Sequence, residues 1–307
     1  MTISTKKAWV TLLTNANYLP GALVLDHTLK SVHSKYPLVV MTTPNTPSEA
    51  RRLLEQRGII VRDVDFLVVQ SCSAAFKRFS DVWTKLRVFE LYEYERVVML
   101  DSDMILRKNM DELLDMYLED GWIASAHVCA CNPRKIPSYP PDWIPANCPY
   151  TNSLQPAPMS ENSPGPYYSL NSGTVVLTPS KQSAQAVARF IAESSLVQNF
   201  RFPDQDLLSH VFKGKWRPLL YHYNALKTLR VVHSNLWQDD EVKCLHYILD
   251  KPWSARPGTG QAVGDYEALN QWWWDAFESL RTDFFRTSDS ETARRNWELI
   301  EANVATV

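Results

Sequence analysis

The chain has 307 residues, of which 45% are hydrophobic, so it can bury a core as one large α/β domain or two small ones. Its 32 Lys and Arg nearly balance its 34 Asp and Glu, which gives no electrostatic footprint for nucleic acid or an anionic membrane. The sequence shows no signal peptide and no bilayer-spanning run, and its five cysteines do not suggest a secreted disulfide scaffold. We therefore expect a cytoplasmic protein.

Short β-rich runs alternate with helical patterns along the first hundred residues. The predicted strands are Ala8–Thr14, Pro37–Thr43, the run IIVRDVD (59–65) and Arg96–Leu100. The predicted helices are Gly21–His33, a helix that runs from the capping box Thr46-Pro47-Ser48-Glu49 to Arg57, and Asp81–Glu93. This alternation predicts an α/β fold with a parallel sheet, in which ligands bind beyond the carboxyl ends of the strands.

The pattern changes in the second half of the chain. Residues 129–168 are crowded with Pro, Asn and Ser, and a loop this long inside a compact domain is usually functional or disordered. Regular patterns then predict a strand at Asn171–Leu177, helices from Ser180 and from Pro203, and a late strand at Lys243–Leu249. We expect one domain over 1–260, with an irregular insertion at 129–168, and a C-terminal helical extension over 261–307.

Two aspartates directly follow the apolar strand at Arg96–Leu100. The carboxylates of Asp101 and Asp103 can converge on one hard cation, which can neutralise a departing diphosphate. A solvated turn is the plain alternative. A second alternative is a haloacid-dehalogenase-type phosphatase, in which Asp101 would be the nucleophile. The motif of these phosphatases normally lies near the start of the chain, however, and has Thr or Val at the position of Ile105.

Six segments, in order along the chain, resemble glycosyltransferase family 8, the retaining family that includes glycogenin and the galactinol synthases. They are VTLLTNANYLPGALVL (10–25), WTKLRVFEL (83–91), VVMLDSDMIL (97–106), NSGTVVLTPS (171–180), PDQDLLS (203–209) and KCLHYILDKPW (243–253). Within this family, the chain resembles the galactinol-synthase branch more closely than the glycogenin branch, through the segments SVHSKYPLVV, RGIIVRDVD and WWWDAFESL. The resemblance implies a GT-A (Rossmann-like) nucleotide-sugar-binding fold with a mostly parallel central sheet.

The same resemblance implies a binding site for the donor. The residues that match the family's donor-contacting positions are Leu12, Thr14, Asn15, Tyr18, Arg78, Lys85, Asn171, Ser172 and Lys251. Tyr18 is expected to stack on the base, and Gly173 to permit a close approach of the backbone to the sugar. For Lys85 the alternative is a surface lysine that pairs with Asp81.

The resemblance also supplies a metal site and a catalytic pair. His246 matches a third metal ligand beside Asp101 and Asp103, and this donor set favours Mn²⁺ over Mg²⁺, which stays possible. Asp204 and Gln205 match the pair near the anomeric carbon, although Asp204 can also be read as a helix N-terminal acid.

The expected function is a retaining, Mn²⁺-dependent hexosyltransferase that uses a UDP-sugar and an unknown small-molecule or glycan acceptor. Galactinol synthase, which moves galactose from UDP-galactose to myo-inositol, is the specific alternative, but the middle residues of Asp101-Ser102-Asp103 and Asn171-Ser172-Gly173 differ from its usual ones. A non-catalytic sugar-nucleotide binder is a third possibility. Residues 223–237 (YNALKTLRVVHSNLW) do not show the acceptor tyrosine where the resemblance to glycogenin would place it, so self-glucosylation is not expected. The sequence does not fix the oligomeric state; a homodimer is one expectation.

One further group of metal-ligating residues lies at the start of the insertion. His127, Cys129, Cys131 and Cys148 together offer a zinc-type donor set, but their spacing fits no strong zinc signature, so incidental or buried thiols are favoured.

Overall fold

The computed structural model describes residues 6–67, 80–156, 159–258, 264–287 and 290–305. The strands are β1 Lys7–Leu13, β2 Leu38–Thr42, β3 Ile60–Asp63, β4 Arg96–Leu100, β5 Met104–Leu106, β6 Ile123–His127, β7 Leu170–Leu177, β8 Trp216–Pro218, β9 Ala225–Leu226 and β10 Cys244–His246. The helices are α1 Leu19–Ser31, α2 Ser48–Gln56, α3 Ser80–Thr84, α4 Glu112–Asp115, α5 Lys181–Glu193, α6 Pro203–Val211, α7 Leu229–Val232, α8 Glu267–Thr287 and α9 Ser290–Glu301.

A seven-stranded sheet forms the centre of the fold, in the order β3-β2-β1-β4-β7-β6-β8. The pairs β3–β2, β2–β1, β1–β4 and β6–β8 are parallel, whereas β7 runs antiparallel to both of its neighbours. The sheet is therefore mostly parallel, as predicted. The ends of β1 and β4 lie side by side at one edge, which is where polar residues replace the apolar run in both segments.

Alternate residues of the central strands pack into two different apolar clusters. Trp9 and Leu13 of β1 belong to one cluster, while Ala8 and Val10 belong to the other. A strand that is buried on both faces reads as a continuous apolar run, which explains why these strands could be recognised from the sequence.

A second, three-stranded sheet in the order β5-β10-β9 was not predicted. Strand β10 runs antiparallel to β5, so that His246 lies opposite Met104. Because β5 follows β4 after only three residues, this pairing places the end of β10 beside the Asp101–Asp103 segment. The late strand is also shorter than expected: it ends at His246, and Leu249 has a φ of 65°.

Two local predictions were wrong. The hydroxyl of Thr46 does not cap α2; it accepts a hydrogen bond from the amide of Thr43 and donates one to the carbonyl of Leu13. The predicted helix Asp81–Glu93 is a short α-helix, α3, followed by a 3₁₀ segment over Lys85–Glu90. In both places, contacts with a neighbouring strand or loop override the local pattern.

Helix α8 packs against α1, and a chain of aromatic rings joins α8 to Tyr18, the residue before α1. Trp273 stacks on Phe277 at 5.1 Å and contacts Trp253 at 5.4 Å, and Trp253 meets Tyr18 edge-on at 5.7 Å. The indole N–H of Trp274 donates to the carbonyl of Pro252 at 3.0 Å. Helix α8 therefore braces the segment that carries Lys251. Within the described ranges, no helix is both long and apolar enough to cross a membrane.

Trp273→Ala tests this bracing. Trp273 is fully buried, so its removal should lower the free energy of unfolding by about 3–5 kcal/mol. Trp272→Ala is the matched control: the ring of Trp272 is only partly buried, beneath the guanidinium of Arg107, and its loss should lower the free energy of unfolding clearly less. Denaturant titration of both variants measures the difference; equal losses would contradict the packing.

Candidate active site

Two carboxylates and an imidazole converge where β4 and β10 end. The Nε2 atom of His246 lies 3.6 Å from Oδ2 of Asp101 and 3.4 Å from Oδ1 of Asp103. Asp103 and His246 are buried, whereas Asp101 is partly exposed. Two carboxylate oxygens and one imidazole nitrogen form a donor set that suits a divalent cation. The three residues predicted as metal ligands are therefore brought together.

Each aspartate presents a different oxygen to a lysine. Oδ1 of Asp101 lies 2.6 Å from the ammonium of Lys85, and Oδ2 of Asp103 pairs with Lys251. The oxygens that face His246 are the other two, so both lysines can stay in place while the triad holds a cation. The pairs orient the carboxylates and offset part of their mutual repulsion.

The charges of this cluster hold Asp103, Lys85 and Lys251 in their ionised forms. Burial raises the pKa of Asp103, but Lys251 and His246 outweigh it and hold that pKa well below its usual range. Burial lowers the pKa of Lys85, but Asp101 and Asp204 outweigh it and hold the pKa above its usual range. Burial also lowers the pKa of Lys251, but the neighbouring carboxylates, chiefly Asp103, outweigh it and hold this pKa above its usual value. Asp103, Lys85 and Lys251 are therefore charged near neutral pH.

The ring of His246 is oriented by an amide chain. Its Nδ1 lies 2.9 Å from Oδ1 of Asn224, whose own amide group donates to Oδ1 of Asn171 at 2.8 Å. Asn171 in turn donates to Oε1 of Gln205 at 3.1 Å. This order of donors assigns the proton of His246 to Nδ1 and leaves the lone pair of Nε2 facing the carboxylates, as a metal ligand requires.

Gly173 is required by the histidine. A Cβ at this position would lie 2.4 Å from both Nδ1 and Cε1 of His246. The sequence led us to expect a close approach of the backbone to the sugar, but the close approach seen here is to the imidazole ring.

Asp204 and Asp206 have different partners at the start of α6. Oδ2 of Asp206 accepts hydrogen bonds from the amides of Arg201 and Phe202, at 2.9 and 3.0 Å, and so caps this helix end. Oδ2 of Asp204 instead lies 3.1 Å from the ammonium of Lys85, which also donates to the carbonyl of Ser172 at 2.7 Å. Lys85 is buried and is not the surface lysine of the alternative reading.

Two adjacent clefts meet at this cluster. The strand-end cleft, of about 980 Å³, contains Thr11, Leu12, Thr14, Asn15, Tyr18, Val82, Lys85, Asp101, Ser102, Asp103, Ser172, Asp204 and Lys251. The insertion cleft, of about 1130 Å³, shares several of these residues and adds Asn171, Gln205 and His246. Every predicted site residue within the described ranges lines one of the two clefts; Arg78 lies outside the described residues.

Comparison with known proteins identifies the family. The sequence profile described as Glycosyl transferase family 8 matches residues 9–256. The chain belongs to glycosyltransferase family 8. It is 30% identical over 290 residues to galactinol synthase 7 of Arabidopsis thaliana, with 91% of this chain and 84% of the relative covered. It is also 30% identical to galactinol synthase 1 of Ajuga reptans, with 92% and 84% covered.

Solved structures agree on the fold. The galactosyltransferase LgtC, solved in complex with donor and acceptor sugar analogs, matches with a TM-score of 0.60 and 16% identity, covering 94% of this chain and 99% of its own. The glycosyltransferase GlyE of Streptococcus pneumoniae TIGR4 matches with a TM-score of 0.57 and 16% identity, covering 91% and 64%. The GT-A fold and the galactinol-synthase-like family 8 resemblance are thus confirmed. The chain is a glycosyltransferase, which excludes the phosphatase alternative.

One residue of this site, Asn224, was not predicted from the sequence. Asn224 is buried, lies at the end of a 3₁₀ turn before β9, and its Oδ1 is the hydrogen-bond partner of Nδ1 of His246. Nothing in the sequence around it marks it, because the contact depends on how β9 and β10 pair.

Asn224→Ala tests the orientation of His246. Loss of the acceptor for Nδ1–H should weaken Mn²⁺ binding about 10- to 100-fold, the usual effect of removing a partner behind a metal ligand. Asn224→Asp keeps an oxygen in this position and should lose less. Mn²⁺ titration followed by electron paramagnetic resonance measures both, with circular dichroism to confirm folding; unchanged affinity in the Ala variant would refute the assigned tautomer.

Proposed function

We propose that this enzyme is a retaining, Mn²⁺-dependent hexosyltransferase that takes its sugar from a UDP-sugar. The observation that carries the proposal is the position of Asp101, Asp103 and His246 at the boundary of two clefts. A nucleotide diphosphate in one cleft and an acceptor in the other would meet at this triad. A cation held there would supply Lewis-acid stabilisation of the departing diphosphate.

The strand-end cleft suits the nucleotide. Tyr18 is 37% exposed, lines this cleft and meets Trp253 edge-on, so we propose that its ring stacks on the base. The ammonium of Lys251 lies beside Asp103 and can contact phosphate oxygens from there. Its neighbour Pro252 is fixed by Trp274, which limits the movement of this lysine.

The insertion cleft suits a hydroxylated acceptor. Tyr139, Trp143 and Phe202 form an aromatic wall, with Trp143 stacked on Phe202 at 5.0 Å. Arg134 and Arg201 add charged donors to the same cleft. Apolar walls with a few polar groups are the usual composition of small-molecule sites. An acceptor bound here would lie next to the triad.

Two features support the proposed role of Asp204 and Gln205 at the anomeric carbon. The carboxylate of Asp204 is buried, is not used as a helix cap and is paired with Lys85. Its charge can stabilise an oxocarbenium-like transition state, or the carboxylate can attack it. Gln205 lines the insertion cleft, and its buried Nε2 has no hydrogen-bond partner among the described residues. This amide can donate to a sugar hydroxyl.

Galactinol synthesis is the second candidate, with UDP-galactose as donor and myo-inositol as acceptor. The relatives at 30% identity favour it. The serines at positions 102 and 172 distinguish this chain from the usual pattern of that branch, so another acceptor is compatible with the same donor site.

A donor screen tests the proposal. UDP-glucose, UDP-galactose and UDP-N-acetylglucosamine are incubated with the full chain and Mn²⁺, and UDP release is followed by chromatography with and without myo-inositol. We expect one donor to be hydrolysed and to be consumed faster with its acceptor. Hydrolysis that persists unchanged in Asp101→Asn, or in chelator, would contradict the metal-dependent mechanism.

Asp204→Asn separates catalysis from helix capping. Loss of the charge should lower kcat about 10²- to 10³-fold and change donor affinity little, as expected of a group used mainly in the transition state. Asp206→Asn is the control, two residues along the same helix; its amide oxygen still accepts from Arg201 and Phe202, so turnover and stability should be retained. Steady-state kinetics and donor titration decide. Near-normal turnover of the Asp204 variant would leave attack on the front face as the mechanism.

A further inference from the structure

Three cysteines of the insertion converge on a histidine from another part of the chain. Nε2 of His233 lies 3.3 Å from Sγ of Cys131, 3.6 Å from Sγ of Cys148 and 3.8 Å from Sγ of Cys129. The sulfurs of Cys148 and Cys129 are 3.9 Å apart. All four donor atoms lie within 4.8 Å of one another. Cys148 and His233 are buried, and the other two cysteines are at most partly exposed.

These distances are those of a metal-binding tetrahedron. Zinc bonds of about 2.3 Å to sulfur and about 2.0–2.1 Å to nitrogen, at tetrahedral angles, require S···S edges of about 3.8 Å and S···N edges of about 3.6 Å. The observed S···S distance of 3.9 Å and S···N distances of 3.3–3.8 Å match both. We propose that Cys129, Cys131, Cys148 and His233 bind a structural zinc ion.

The chemistry of the donor set distinguishes this site from the catalytic triad. Thiolates are soft ligands that favour zinc over Mn²⁺ or Mg²⁺, whereas the Asp101–Asp103–His246 set is dominated by hard oxygens. Four protein ligands also fill a tetrahedral shell and leave no position for substrate or water, as in structural zinc sites. The two sites share no residue.

The histidine differs from the one that the sequence suggested. His127 does not join the cysteines; its ring packs against Trp216 at 5.0 Å and Tyr150 at 6.4 Å. His233, which replaces it, follows α7 and lies 85 positions beyond Cys148 in the chain. No zinc signature with a short spacing could have included it, so only the folded chain reveals the set.

The zinc site would fix one wall of the insertion cleft. The chain between Cys131 and Cys148 carries residues that line this cleft, namely Asn132, Pro133, Arg134, Ile136, Tyr139 and Trp143. Both ends of this segment are zinc ligands, and His233 ties them to the end of α7. A segment with little regular structure gains a fixed position from such a clamp, since metal binding stabilises the folded arrangement.

Metal analysis of the purified full chain tests the site. Inductively coupled plasma mass spectrometry should find about one zinc per chain, retained after dialysis against EDTA and released when a mercurial reagent blocks the thiols. Cys131→Ser and Cys148→Ser should each lose the zinc. Cys244→Ala is the control, because this buried cysteine lies on β10 outside the cluster, and it should keep the zinc. The double variant Asp101→Asn, Asp103→Asn should also keep it, so this result does not depend on the proposed catalytic metal.

Two further measurements test the zinc site if the serine variants do not fold. His233→Cys restores a four-ligand shell and should retain zinc, whereas His233→Ala should lose it. Protein expressed with Co²⁺ should show the intense visible absorption of tetrahedral thiolate-bound cobalt. A zinc-free protein, zinc content that is the same in every variant, or a Cys129–Cys148 disulfide found by mass spectrometry of the unreduced chain would overturn the zinc assignment.

The effect on the acceptor is a separate readout. If the clamp positions the insertion, the zinc-free Cys131→Ser variant should raise the KM for the acceptor at least several-fold while leaving UDP affinity close to that of the wild type. An equal loss of UDP affinity would show instead that the site supports the whole fold and not the cleft wall.

Discussion

Three carboxylates gather at one end of the central sheet, and their mutual repulsion has to be offset before they can hold a cation. Asp101 and Asp204 share the ammonium of Lys85, and Asp103 pairs with Lys251. A buried charge without a partner destabilises a fold far more than a paired one, so the site requires these lysines. They also leave the inner carboxylate oxygens directed at His246.

The rest of the fold supplies the parts of this charge balance from distant segments. Lys85 comes from the 3₁₀ segment after α3, and Asp204 from the first turn of α6. The pairing of β10 with β5 in the small sheet places His246 beside the aspartates. Helix α8 holds the segment that carries Lys251 through the hydrogen bond from Trp274 to Pro252. The zinc proposed for the insertion would do for the acceptor side what these contacts do for the donor side.

The sequence allowed the prediction of features that depend on local pattern. Strand β4 and the aspartates after it were placed correctly, because an apolar run that is buried on both faces ends in polar residues at the sheet edge. The roles of Gly173, Asn224 and His233 could not be predicted, because each depends on a contact between segments far apart in the chain. The three-residue strand β5 was missed for the same reason: its pairing with β10 creates it.

The aspartates and His246 are proposed to hold a cation that joins the protein to the donor's diphosphate. Isothermal titration of UDP, with Mn²⁺ and with chelator, tests it most directly when wild type is compared with His246→Ala. Since coupling between two ligands is reciprocal, Mn²⁺ should tighten UDP by the same factor by which UDP tightens Mn²⁺, and the variant should lose most of this coupling. Equal UDP affinity with Mn²⁺ and with chelator in the wild type would contradict the account.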